Sequence, residues 1–273
     1  MRVLAAFLFF ASLATASANT PEPVQGLQTY VTSFSSVDGL AVNSEELLHL
    51  VRKLRAKQVK SGNKTAFVDY LFDKTRHRFL RNYAEYATFS ETINKGTYNC
   101  LTGTALYALL LEQFDIPYQV IETNYHIFLV AQTENGRVLL EATDSENGVV
   151  LGESRIDARI KEYRRGLPTQ NDRTKTYYQY DADLFKQVSL NELTGLLYYN
   201  RAIVAYNQHD LPEAIERLIK SAELYQSSRT TEFAAILEIA IVESKLNTNL
   251  KQQYLSEIHR LRASALTLSA RGH

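Results

Sequence analysis

The stretch Gly96-Thr97-Tyr98-Asn99-Cys100-Leu101-Thr102-Gly103-Thr104-Ala105-Leu106 decides how this chain folds. It opens like the start of a helix and runs on as the most apolar segment of the sequence, through Leu111. Gly103, Ala105 and Ala108 are small enough to let other backbones approach closely, so the helix is expected at the centre of the core. Phe114-Asp115-Ile116-Pro117 ends it. Strands are expected over Tyr118 to Glu122, Ile127 to Gln132, Val138 to Thr143 and Val149 to Leu151, with Asn135-Gly136 as a hairpin turn. A thiol, Cys100, an imidazole, His126, and a carboxylate, Glu141 or Asp144, thus fall on three successive elements.

That order matters chemically. Unpaired backbone N–H groups and the dipole at a helix start favour thiolate over thiol. The same groups can donate to an oxyanion forming beside the sulfur. A Cys nucleophile needs a base that also protonates the leaving group, and His does this near neutral pH. A carboxylate on the neighbouring strand orients the imidazole and favours its charged form; both Glu141 and Asp144 are available. Asn99 or Tyr98 could add an oxyanion donor.

Outward from this block the chain reads as scaffold. Residues 19–40 are rich in Ser, Thr and Pro and read as a loose lead-in. A helix starts at Ser44-Glu45-Glu46-Leu47, with Leu47, Leu50, Val51 and Leu54 at helical spacing, and breaks over Lys57 to Asn63. A second runs from Thr65 to Tyr83, and a basic, weakly amphipathic one from Ser154 to Arg165. Residues 166–189 are turn-rich and polar and read as a linker. From Leu190 onward the pattern is wholly helical, punctuated at His209-Asp210-Leu211-Pro212, with further helices over Thr230 to Leu246 and Leu250 to Leu268.

Arg2, the apolar run Val3 to Leu13 and Ala16-Ser17-Ala18 have the form of a cleavable export signal over residues 1–18. The apolar run is too short for a bilayer, which needs roughly 20 residues. A periplasmic or extracellular location follows, with no membrane span in the mature chain. In such a compartment the single Cys is informative: with no partner for a disulfide, it is either a buried small hydrophobe or a reactive group. The 273 residues, 45% hydrophobic and 22% charged, suffice for two domains, and a formal net charge of +0 gives no footprint for a nucleic-acid partner. No H-E-x-x-H or similar metal motif occurs, and no cofactor is expected.

The Gly96-to-Leu106 segment resembles the nucleophile segment of the transglutaminase-like superfamily, whose fold is papain-like. Tyr125-His126-Ile127-Phe128 resembles that family's His followed by an aromatic two positions on, and Leu140-Glu141-Ala142-Thr143 resembles its Asp-Pro-Thr ending. The resemblance implies catalytic Cys100, His126 and Glu141, with Asp144 as the alternative acid, since Glu replaces Asp and Ala replaces Pro. Tyr198-Tyr199-Asn200-Arg201-Ala202 through Ser221-Ala222 resembles one tetratricopeptide repeat, with Arg201 where an apolar residue is usual. Together these imply an α+β papain-like domain over 19–165, helices on a small antiparallel sheet, and all-α repeats over 190–273. Its activity would be that of a thiol hydrolase or amide transferase on a protein or peptide substrate, with a possible protein partner on the repeats. The competing expectation is an inactive papain-like fold serving as a binding module, with Cys100 as a packed residue.

Overall fold

The computed structural model describes residues 23–165 and 185–269. The export signal and most of the linker therefore lie outside the described residues. The chain is a mixed α+β structure built round one helix, α5 (Cys100–Gln113). Every residue from Leu101 to Leu111 is buried. A helix apolar on all sides must be covered on all sides, and the remaining elements do this in turn.

One side of α5 is covered by a five-stranded antiparallel sheet of β3 (Tyr118–Thr123), β4 (Ile127–Thr133), β5 (Gly136–Leu140), β6 (Val149–Leu151) and β7 (Phe185–Val188), in the order β6-β5-β4-β3-β7. Side chains alternate between its faces. Val120, Leu129, Ala131, Val138 and Leu140 join the core around α5, whereas Ile121, Phe128, Val130 and Leu139 form a second apolar layer. That layer is closed by Ile156, Ile160 and Tyr163 of α6 (Glu153–Arg165). The four sequence-expected strands are present, and β7 is a fifth, formed by residues that the sequence reads as linker.

The other sides of α5 are covered by α1 (Pro23–Ser35), α2 (Glu45–Ser61), α3 (Lys64–Phe79) and α4 (Phe89–Lys95). The loose lead-in expected over 19–40 is corrected by α1: Leu27, Val31 and Phe34, spaced four and three apart, are buried in the main core. Helix α2 continues through Ser61 rather than breaking at Lys57, and α3 stops at Phe79. Asn82–Tyr83 forms a short strand, β1, paired in parallel with Thr97–Tyr98, β2.

Four helices follow β7: α7 (Leu190–Asn207), α8 (Leu211–Leu224), α9 (Ser228–Glu243) and α10 (Thr248–Ser269). Helix α7 belongs to two cores. Leu190, Leu193, Leu196 and Leu197 pack into the core around α5, and Ala202 and Ala205 into a separate core with Ile215, Phe233 and Leu237. No helix among the described residues is long and apolar enough to cross a membrane.

The crossing of α7 and α8 depends on Gly195. A Cβ there would lie 2.4 Å from Tyr225 Cβ and 2.8 Å from the Tyr225 backbone nitrogen. Gly195→Ala is expected to lower stability by about 1–3 kcal/mol, because overpacking against backbone outweighs the helix propensity gained. Thermal unfolding checks this: a melting temperature at or above wild type would show that the crossing has room to spare.

Candidate active site

Cys100 is the first residue of α5 and is part-exposed. Asn99 caps the helix: its Oδ1 accepts from the Thr102 N–H at 2.9 Å, and its own N–H donates to Thr102 Oγ1 at 3.1 Å. The first three N–H groups of a helix have no intrahelical acceptor. With Thr102 capped, those of Cys100 and Leu101 remain to bind a negative charge beside the sulfur.

Positions three and four residues along a helix share its face, and here both touch the neighbours of the other two site residues. Thr104 Oγ1 donates to the carbonyl of Ile127, the residue after His126, at 3.2 Å. A Cβ on Gly103 would lie 2.8 Å from Ala142 Cβ, the residue after Glu141, so only a glycine permits this approach. The first turn of α5 thereby fixes where β4 begins and where β5 ends. The register Leu129↔Leu140, continued one step, sets Glu141 opposite Phe128, whose same-face neighbour towards the strand start is His126. His126 Nε2 and Glu141 Oε2 are hydrogen-bonded, with the imidazole 20% and the carboxylate 3% exposed. Cys100 lies close enough to the same imidazole to favour its charged form. With Nε2 on Glu141, Nδ1 is the nitrogen left for the sulfur.

A carboxylate this deeply buried needs donors on both oxygens. Thr143 supplies its N–H at 2.9 Å and its hydroxyl at 2.6 Å to Oε1. Tyr163 donates its hydroxyl to Oε2 at 2.8 Å, and its ring lies against the imidazole with centroids 4.9 Å apart. Burial alone would raise the Glu141 carboxyl, but the hydrogen bond and charge of His126 and the Thr143 donors hold it below the usual range. Burial likewise works against a charged imidazole. The interactions with Cys100 and Glu141 and their charges outweigh it and raise His126 from 6.5 to about 10. The Tyr163 phenol is pushed up by burial and by the Glu141 charge, so it stays protonated and donates.

The structure thus brings Cys100, His126 and Glu141 together and leaves Asp144 aside. Asp144 Oδ1 accepts from the Glu146 and Asn147 N–H groups, and Oδ2 lies 3.4 Å from Arg159. It shapes the loop 144–147 and does not touch His126. Both amide hydrogens of Asn99 are committed to the fold, to the carbonyls of Glu85 at 2.9 Å and Ala87 at 3.2 Å. Tyr98 is a buried ring against Gly103 and Tyr83. The phenol that senses the Cys100 charge is that of Tyr83, which is 60% exposed; burial raises it first and the sulfur second. An open cleft of about 440 Å³ runs along the acid side, lined by His126, Glu141, Thr143, Asp144, Arg159 and Tyr163. Among the described residues no group of three or more His, Cys, Asp or Glu is arranged to hold a metal ion.

No protein-family model, curated protein or solved structure matches this chain.

Tyr163→Phe is expected to lower stability by about 1–3 kcal/mol, the cost of leaving a buried carboxylate one donor short. Asp144→Asn is expected to cost less than about 1 kcal/mol, because a partly exposed ion pair contributes little. Denaturant titration of the two variants checks the order, and the reverse order would show that Asp144, not Glu141, is the carboxylate on whose partners stability depends.

Proposed function

We propose that this chain is an exported, cysteine-dependent hydrolase or amide transferase of transglutaminase-like, papain-like fold. The observation that carries the reading is one imidazole, beside a helix-start thiol, hydrogen-bonded to a buried, fully satisfied carboxylate. A packed, inert cysteine needs none of this. Export rests on the residue 1–18 pattern, and a protein or peptide substrate on the amide chemistry.

In this mechanism Cys100 Sγ, paired with the His126 imidazolium, attacks the carbonyl carbon of an amide. The oxyanion that forms is held by the N–H groups at the start of α5. His126 then gives its Nδ1 proton to the leaving amine, the C–N bond breaks, and a thioester remains on Cys100. Water or a second amine adds to the thioester and loses its proton to His126. The C–S bond breaks, and Sγ returns to its pairing with the imidazolium. Glu141 accepts from Nε2 throughout, which fixes the ring orientation and keeps Nδ1 as the working nitrogen. Thr143 and Tyr163 hold Glu141 in turn.

A protein partner on the repeat-like helices belongs to the same proposal: α9 turns Ile239 and Val242, 62% and 60% exposed, to solvent.

The test is capture of the thioester. Wild-type protein incubated with a peptide library carrying glutamine and backbone amides should show an acyl adduct on Cys100 by mass spectrometry, released by hydroxylamine. Cys100→Ala should abolish turnover, and His126→Ala should reduce it by roughly 10²–10⁴-fold, the usual worth of a positioned acid–base group. Turnover that survives Cys100→Ala would place the chemistry elsewhere and leave the fold as a binding module.

A further inference from the structure

The turn that carries His126 is held from outside the papain-like unit. Thr123 and His126 close it on each other: the Thr123 N–H donates to the His126 carbonyl at 2.7 Å, and the His126 N–H donates to Thr123 Oγ1 at 3.1 Å. The carbonyls of Thr123 and Asn124 point the other way, to the second residue of α9. Arg229 Nη2 donates to Asn124 O at 2.7 Å and to Thr123 O at 3.2 Å. Its Nη1 lies 3.2 Å from Glu122 Oε1, with the two side chains 15% and 3% exposed.

Glu122 is the last residue of β3 to pair with β4, so this carboxylate anchors the turn to the sheet. Tyr225, fully buried at the end of α8, donates its hydroxyl to Glu122 Oε2. Lys186 of β7 lies 4.5 Å from the Tyr225 ring centroid and pairs with Glu192 of α7 at 2.7 Å. Burial pushes the Glu122 carboxyl up, and the Arg229 charge opposes it most strongly. A buried carboxylate in this position needs its cation, and a planar guanidinium can meet that carboxylate and two carbonyls at once.

We infer that Arg229 is a positioning residue for the thiol chemistry. Through the Thr123–His126 turn, α9 holds the imidazole against Cys100, and the C-terminal helices are part of the catalytic unit rather than a detachable partner module. The inference rests on the proposed role of His126. The groups that face His126 itself, namely Cys100, Glu141 and Tyr163, lie on other elements and are untouched by a change at Arg229.

The experiment compares alkylation of Cys100 by iodoacetamide at pH 6 and pH 9 in the full chain, for wild type, Arg229→Met, Arg229→Lys and His126→Ala. Hydrogen exchange is read on the same samples for residues 123–126 and, as a control, for α2. Arg229→Met should slow alkylation at pH 6 by about tenfold relative to pH 9, since misplacing a positioned group by an ångström can cost on the order of a hundredfold. Exchange should rise at 123–126 and not in α2. Arg229→Lys keeps the cation beside Glu122, so it should fold normally and shift in the same direction by less. If Arg229→Met fails to fold, the lysine variant decides. Arg229→Lys with the wild-type pH ratio and wild-type exchange, beside a slowed His126→Ala, would overturn the Arg229 assignment alone. A His126→Ala profile identical to wild type would instead overturn the thiol–imidazole reading, and the Arg229 inference with it.

Discussion

Covering a helix that is apolar on every side is the constraint from which the rest of this structure follows. Helix α5 buries each residue from Leu101 to Leu111, so only its ends reach the surface. At its start the unpaired N–H groups must be met. One is capped by Asn99, and the other two belong to Cys100 and Leu101 in the same first turn. The same first turn holds β4 through Thr104 and lets Ala142 approach at Gly103. The packing that buries the helix is therefore also what brings His126 and Glu141 to its start.

Two buried carboxylates lie at this end of the sheet, and they are partnered differently. Glu141 takes donors from His126, Thr143 and Tyr163, all within the α+β unit. Glu122 accepts from Tyr225 and is ion-paired with Arg229, and both of these belong to the helices that follow. Losing one partner of a buried pair leaves a charge uncompensated and is strongly destabilising. The α5 core also continues into α7 and Tyr225. Sheet and C-terminal helices are thus joined by apolar packing as well as by charge.

Much of this is legible in the sequence where local chemistry dictates it. Asn135-Gly136 marks the β4–β5 hairpin, and the dense apolar run after Cys100 marks the central helix. The distinction between Glu141 and Asp144 needs the strand register, which sequence alone leaves open by the few residues that separate them. Helix α1 is hidden because polar Gln, Thr and Ser surround Leu27, Val31 and Phe34. Tyr163 ends an apolar stripe with Ile156 and Ile160, a signal present in the sequence but masked by the basic residues between. Asn99 reads equally well as a cap or as an oxyanion donor, and a side chain with only two amide hydrogens cannot serve the fold and the site together. Arg229 has no local signal at all, since the turn it holds lies 105 and 106 residues away.

If Cys100, His126 and Glu141 act as one unit, the charge state of His126 reports it. A raised imidazole keeps its proton at pH values where a free one has lost it. The ring resonances of His126, followed by NMR and assigned by their absence in His126→Ala, should therefore show imidazolium across neutral pH and a midpoint near the raised value of about 10. Glu141→Gln should bring that midpoint down. A wild-type midpoint near 6.5, unchanged by Glu141→Gln, would mean that His126 is not coupled to Cys100 and Glu141.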